Sequence, residues 1–200
     1  MEIRKLEHNE HGKTRELYKE VFSTDSDGFV DYYYTEKTKD NQIYVMEDNG
    51  NIVGMLHLNP YTLKVNGLEK DTNYIVAVST KEEYRKQGIM RKLLTKALND
   101  MYEEHQIFTF LMPAAESIYL PYDFRTVYEQ NHTYYDVEHE GKGFEIKELQ
   151  VEECEELALT MNQFLGNYYQ VYANRSKDYF ERLKKEYESD GAKLMLYRKD

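Results

Sequence analysis

The residues best suited to chemistry in this 200-residue chain are Arg85-Lys86-Gln87-Gly88-Ile89-Met90. Just before them, Val78-Ser79-Thr80 closes a β-branched run. Just after, Ile89, Leu93, Leu94, Ala97, Leu98 and Met101 recur at helical spacing. The stretch therefore lies where a strand hands over to a helix. The first N–H groups of a helix lack intrahelical acceptors, and the helix dipole favours an anion there. Gly88 allows close backbone approach, while Arg85, Lys86 and Arg91 add positive charge. A diphosphate suits this arrangement. On charge and glycine alone, the stretch reads equally well as an ordinary strand-to-helix turn with solvated cations. A Walker-type loop is excluded, because no second glycine and no Gly-Lys-Ser/Thr is present. A dinucleotide fingerprint fails for want of further glycines.

The elements that must position this loop are legible in outline. Residues 2–6 alternate as a short strand, and 10–22 carry Leu17, Tyr18 and Val21 on one helical face. A loop of cap and turn residues, 23–28, leads into a second helix over 29–39. Asn49-Gly50 between two apolar runs predicts a hairpin. Strands are expected at 61–66 and 69–79, then the loop and a helix to about residue 104. A buried strand is expected at 107–113, a short helix near 115–121 and a strand pair near 126–138. The order predicts an α/β domain with a mixed sheet.

Composition narrows the partners. The net charge of −11 disfavours generic nucleic-acid binding and suits a cationic small molecule. Cys154 is the single cysteine, which excludes an intrachain disulfide, fits a reducing compartment and reads as a small buried hydrophobe. The N-terminus has no apolar signal-like region, and no apolar run reaches the roughly 18 residues that span a bilayer. These features predict a cytoplasmic protein with no membrane partner. His8 and His11 flank a strand exit, and the other histidines lack ligand spacing, so no metal site is expected.

The segment from Val78 to Met90 resembles motif A of the GNAT (Gcn5-related) N-acetyltransferases, Arg/Gln-x-x-Gly-x-Gly/Ala after a bent strand. Tyr84-Arg85-Lys86-Gln87-Gly88-Ile89 makes the loop, and Met90 departs from the usual small final residue. That departure is similar to the enhanced-intracellular-survival-like branch, which accepts a larger residue there. Residues 110–124, "FLMPAAESIYLPYDF", resemble the strand of that branch with its Glu-x-Ile-Tyr and short aromatic tail.

The resemblance implies a GNAT acyl-CoA N-acyltransferase fold, a central mixed twisted sheet flanked by helices. It implies acetyl-CoA as acetyl donor and a primary amine on a small molecule or peptide as acceptor. Arg85, Lys86, Gln87, Gly88, Ile89 and Met90 would hold the diphosphate, and the backbones of Val78 and Thr80 the pantetheine arm. Tyr119 would be the general acid, with Tyr122 its neighbouring rival; a phenol of pKa near ~10 is protonated at neutral pH. Asp25, Phe22 and Tyr32 would form the acceptor wall, although Asp25 reads as well as a solvated loop carboxylate. An alternative outcome is a catalytically weak GNAT-like module that binds acyl-CoA or regulates.

The tail echoes the beginning. Residues 144–165, "FEIKELQVEECEELALTMNQFL", match "MEIRKLEHNEHGKTRELYKEVF", with Ile146 over Ile3 and Leu149 over Leu6. The expected division is therefore 1–140 as a GNAT domain and 144–200 as the truncated start of a second. In the branch named, the C-terminal carboxylate helps to deprotonate the amine, so a chain ending at Asp200 is expected to turn over weakly. Tyrosine-rich surface and an open edge at the last strand favour a homo-oligomer.

Overall fold

The computed structural model describes residues 1–129, 132 and 144–199. β1 (Glu2–Lys5) leads through a 3-10 turn, His8–Thr14, into α1 (Arg15–Val21) and α2 (Asp27–Thr35). The Ser26 hydroxyl accepts from the Phe29 N–H and caps α2. β2 (Gln42–Asp48), β3 (Asn51–Val65) and β4 (Leu68–Thr80) follow, and the antiparallel order is β1-β2-β3-β4. Both hairpins turn on Asn-Gly pairs with positive φ at both residues: 49° and 79° at Asn49-Gly50, 50° and 81° at Asn66-Gly67. That is the backbone a two-residue turn needs to match strand twist.

The strand expected at 61–66 is the outer part of β3, which runs unbroken through Pro60. β2 stops pairing at Leu58 and β6 (Val171–Ala173) begins at Leu63. β3 therefore has β4 alone as neighbour at Pro60, and the missing N–H costs no second ladder bond.

α3 (Ile89–Glu103) covers one face of the sheet. Its Ile89, Leu93, Leu94, Ala97 and Met101 are buried against Tyr44, Met46, Leu56, Leu58 and Ile75. Each large apolar side chain contributes roughly 1.5–3 kcal/mol. α1 and α2 cover the other face through Leu17, Tyr18, Val30 and Tyr33.

The segment expected as a strand at 107–113 is not one. A single parallel bridge joins Phe110 to Tyr74, with the Ile75 N–H donating to the Phe110 carbonyl at 3.0 Å. Side-chain hydroxyls do the remaining tethering: Thr72 donates to the Phe108 carbonyl, and Thr109 to the Asn73 carbonyl at 2.6 Å. Ile107 and Met112 are exposed, so apolarity there is not burial. α4 (Glu116–Tyr119) and a 3-10 turn, Leu120–Tyr122, fall where a short helix is expected. Of the strand pair expected near 126–138, residues 126–129 carry no strand. Residue 132 is likewise outside any strand, and the rest lies outside the described residues, as does Asp200.

β5 (Phe144–Glu148), α5 (Cys154–Tyr168), α6 (Lys177–Ser189) and β7 (Met195–Lys199) complete the chain. Several of their local contacts match those of the opening, although β6 intervenes between α5 and α6. Ile146 pairs with Tyr197 across β5 and β7 as Ile3 pairs with Met46 across β1 and β2. The Leu149 N–H donates to Leu194 as the Leu6 N–H donates to Ile43, both at 2.8 Å. Gln150 and Glu153 form the same capping box as Glu7 and Glu10. Lys147 grips Glu153 at 2.7 Å as Arg4 grips Glu10 at 2.6 Å. Cys154 is fully buried beside Leu149, Ala158 and Phe180. The tail is docked on the first half: β6 pairs with β3, and α6 reaches the segment just after α2 through Arg182–Asp40 at 2.9 Å and Lys185–Glu36 at 3.0 Å.

Candidate active site

The site forms where β4 ends and α3 begins. Between Met55 and His57 of β3, the opposing β4 residues advance from Ser79 to Val76, one more than the partner strand. This bulge centres on Ala77, held at φ 52°. A bulge bends its strand and re-aims the residues beyond it. Val78 then packs on the α3 side, and Thr80 turns its carbonyl to the Arg85 Nε at 3.4 Å.

The loop itself is open. Arg85, Lys86, Gln87 and Gly88 are exposed, Met90 is half-buried, and Ile89 is buried in the core. Lys86 and Gly88 take positive φ, 61° and 76°. Gly88 is the N-cap residue of α3, where no side chain caps the helix. A Cβ added at Gly88 would meet nothing within 4 Å. No acceptor among the described residues meets the N–H groups of Gly88, Ile89, Met90 or Arg91, whereas Lys92 already donates back to Gly88 at 3.1 Å. Uncapped amides beside three cations and open space fit a diphosphate. A cavity of about 180 Å³ opens beside them, lined by Val21, Val78, Ser79, Thr80, Arg85 and Met90. The Ser79 hydroxyl in its wall is buried without a partner. A second hollow at the far end of α3, by Tyr102, His105 and Ile107, carries none of the expected site residues.

Tyr119 is half-buried and packs on the same apolar cluster as Val78 and Met90, with its ring edge-on to Phe124 at 5.8 Å. Burial pushes its phenol above the ordinary 10, and Tyr74 adds to the effect. Tyr122 packs on that cluster too. The three residues expected in the acceptor wall separate. Phe22, just past α1, lies tilted against Tyr18 at 4.7 Å, and Asp25 in the following turn accepts from the Tyr18 hydroxyl at 2.9 Å. Tyr32 is buried under the tail instead. Its hydroxyl donates to the Arg182 carbonyl at 3.1 Å and lies 3.2 Å from the Glu186 carboxylate, so it serves the docking of α6. Among the described residues, no three His, Cys, Asp or Glu side chains are grouped to hold a metal, and no helix is long and apolar enough to cross a membrane.

The profile of the acetyltransferase (GNAT) domain matches residues 2–127. The chain belongs to the GNAT acetyltransferase family. Members of this family use acetyl-CoA as the acetyl donor. No curated protein sequence matches it. Solved structures share the fold at low identity. A probable N-acyltransferase of unknown function from Enterococcus faecalis is 16% identical, with a TM-score of 0.57. That alignment covers 61% of this chain but 31% of that one. A predicted acetyltransferase from Clostridium acetobutylicum, solved with acetyl-CoA, is 15% identical over 66% of this chain and 95% of that one, with a TM-score of 0.57. Glucosamine-6-phosphate N-acetyltransferase from Arabidopsis thaliana is 20% identical over 68% and 98%, with a TM-score of 0.53.

Two positions in this GNAT domain escape sequence reasoning. Gly54 lies under the first turn of α3, where a Cβ would stand 2.6 Å from Ile89 Cγ2. Its signal is a glycine inside an apolar strand pattern. Tyr74 carries no signal among 20 tyrosines. It faces Phe110 at 5.1 Å where β4 and the 107–113 segment part.

Proposed function

We propose that this chain is an acetyl-CoA-dependent N-acetyltransferase acting on a primary amine of a small molecule or peptide. The observation that carries the reading is the uncapped start of α3 from Gly88 to Arg91, opening on a cavity beside Thr80 and Met90. Backbone amides of Gln87, Gly88, Ile89 and Met90 hold the diphosphate, with Arg85 and Lys86 supplying charge. The Val78 and Thr80 backbones hold the pantetheine arm like an added strand. Bound acetyl-CoA supplies the acetyl group as an activated thioester. Tyr119 keeps its proton through neutral pH and would give it to the CoA sulfur as the free amine bonds to the acetyl carbon and the thioester C–S bond breaks; the amine's surplus proton would pass to solvent, from which Tyr119 is re-protonated. Phe22 and Asp25 border the acceptor side from the end of α1.

The domain reading belongs to the same proposal. Residues 1–140 form the catalytic GNAT domain, and 144–200 the start of a second, as in the enhanced-intracellular-survival-like branch. The matched registers, capping boxes and ion pairs of the two halves support this. So does the E. faecalis relative, which extends well beyond the aligned part.

Calorimetry with acetyl-CoA, followed by thiol release with a panel of amines, tests the function. Binding with release identifies an acetyltransferase. Binding without release for any amine favours a sensor of acyl-CoA. Absence of binding removes the proposal.

A further inference from the structure

One hydroxyl in the wall of the site cavity has nothing to bond. Ser79 is 7% exposed, and its Oγ is buried with no partner. The bulge at Ala77 decides where that side chain points. Continued without it, the register that sets His57 opposite Val76 brings Ser79 opposite Gly54, on the face that α3 covers. The extra residue sets Ser79 opposite Met55 instead. Met55 is in the apolar cluster beneath α1 and α2, and Val21 packs on that cluster while lining the same cavity as Ser79. Val78, by contrast, packs with α3. The cavity of about 180 Å³ therefore follows the outer edge of β4 and touches residues of both faces. Past the Tyr74–Phe110 bridge, no strand among the described residues pairs with that edge.

A buried hydroxyl with no partner is costly until a ligand supplies one. Serine has one side-chain torsion with three staggered wells, so its hydroxyl turns from wall to cavity without a backbone shift. Having no partner to leave, it breaks no bond in turning. The neighbouring residues say what it meets. Val21, Val78 and Met90 are apolar, Thr80 is neutral, and Arg85 carries the one charge among the described lining residues. None of these is a carboxylate that would receive an ammonium, and Arg85 repels one. The wall suits a neutral chain that ends in an anion on the Arg85 side. A hydroxyl both donates and accepts, which matches an amide.

We infer that Ser79 is a cofactor-binding residue whose hydroxyl bonds a carboxamide of the CoA arm, in addition to the backbone contacts of Val78 and Thr80. That the arm is that of CoA rests on the acetyltransferase reading. Ser79 thereby favours a donor that carries the arm over a nucleotide that brings the diphosphate alone.

Calorimetry with CoA and with ADP, on wild type and Ser79→Ala, tests this. ADP carries a diphosphate without the arm and reports on the amides at Gly88. Ser79→Ala is expected to weaken CoA roughly three- to tenfold and to leave ADP within about twofold. Its thermal stability should hold or rise, because the hydroxyl bonds nothing in the unliganded fold. A structural role for Ser79 would lower stability instead. Ser79→Cys, close in size with a weaker hydrogen-bonding group, should lose part of the CoA affinity, and it decides the matter should Ser79→Ala fold poorly. Equal CoA affinity in wild type and Ser79→Ala overturns the inference and leaves the acetyltransferase reading standing. A fall in ADP affinity that matches the fall for CoA also overturns it, because Ser79 then acts through the loop. A wild-type chain that binds no CoA removes the acetyltransferase reading, and this inference with it.

Discussion

Gly54 and Ile89 are in contact through the space where a side chain at position 54 would stand. The Cβ position of Gly54 is 2.6 Å from Ile89 Cγ2, 3.3 Å from the Ser79 carbonyl oxygen and 3.4 Å from Leu93 Cδ1. The first turn of α3 can reach the sheet, and present its amides beside Thr80, because β3 is bare at this point. Gly54 thus positions the first turn of α3 and, with it, the loop proposed to hold the diphosphate.

Gly54→Ala is therefore expected to destabilise the fold by roughly 1–3 kcal/mol through overpacking. It should also weaken acetyl-CoA binding by moving the start of α3. Ile89→Val leaves Cγ2 in place and does not relieve the clash, whereas Ile89→Ala removes it. Chemical denaturation and calorimetry of Gly54→Ala and of Gly54→Ala/Ile89→Ala check this. The double variant should recover CoA affinity relative to Gly54→Ala while staying less stable than wild type for the lost Ile89 packing.

Lys86 sits at φ 61°, where a side chain is strained, and its ammonium is exposed beside the uncapped amides. Charge and conformation can be separated there. Lys86→Gly removes the charge and relieves the backbone, so thermal stability should hold or rise while acetyl-CoA affinity falls roughly two- to fivefold at low salt. The loss should shrink as ionic strength increases. Equal affinities at low salt would show that Lys86 faces solvent only.

The loop, its helix and the hairpin at Asn49-Gly50 were legible because their signals are local: a glycine between cations, a 3.6-residue apolar period, and a turn pair that demands positive φ. The internal echo proposed for the tail rests on a local signal too, since Ile146 and Leu149 keep the spacing of Ile3 and Leu6. What escaped is set by contacts far apart in sequence. Ala77 at positive φ has no local cue, because alanine is an ordinary strand residue. Apolar 107–113 looks like a buried strand, yet β4 accepts it for a single bridge. Tyr32 looks like pocket wall until α6, some 150 residues later, takes its hydroxyl.

Burial makes His57 a source of acid sensitivity. It is fully buried on β3, its Nδ1 pairs with the Tyr33 hydroxyl at 2.9 Å, and its Nε2 has no partner. Desolvation, the main cause, with His11 adding, lowers its pKa to about 3. In the unfolded chain it titrates near 6.5. Below 6.5 the unfolded state binds the extra proton and the folded state does not, so stability falls as pH drops from 6.5 towards 3 and levels off below. His57→Gln, which keeps an acceptor for Tyr33, should flatten that part of the profile. Thermal melts between pH 3 and 8 on both proteins check it; parallel curves would remove His57 from the account.

Tyr119 carries the sharpest prediction about catalysis. A phenol pushed above 10 by burial is protonated across the neutral range, so it can donate but cannot serve as the base. Turnover should therefore fall on the alkaline side only above pH 10, as Tyr119 loses its proton. Tyr119→Phe keeps the ring against Phe124 and removes the proton. It should lower kcat by roughly 10²–10⁴-fold, leave acetyl-CoA affinity within about twofold, and abolish that alkaline limb. Tyr122→Phe, packed on the same cluster, should leave kcat close to wild type. If the two variants exchange phenotypes, Tyr122 is the acid. If neither changes kcat, the leaving thiolate takes its proton from water, and the hydroxyls matter only for packing.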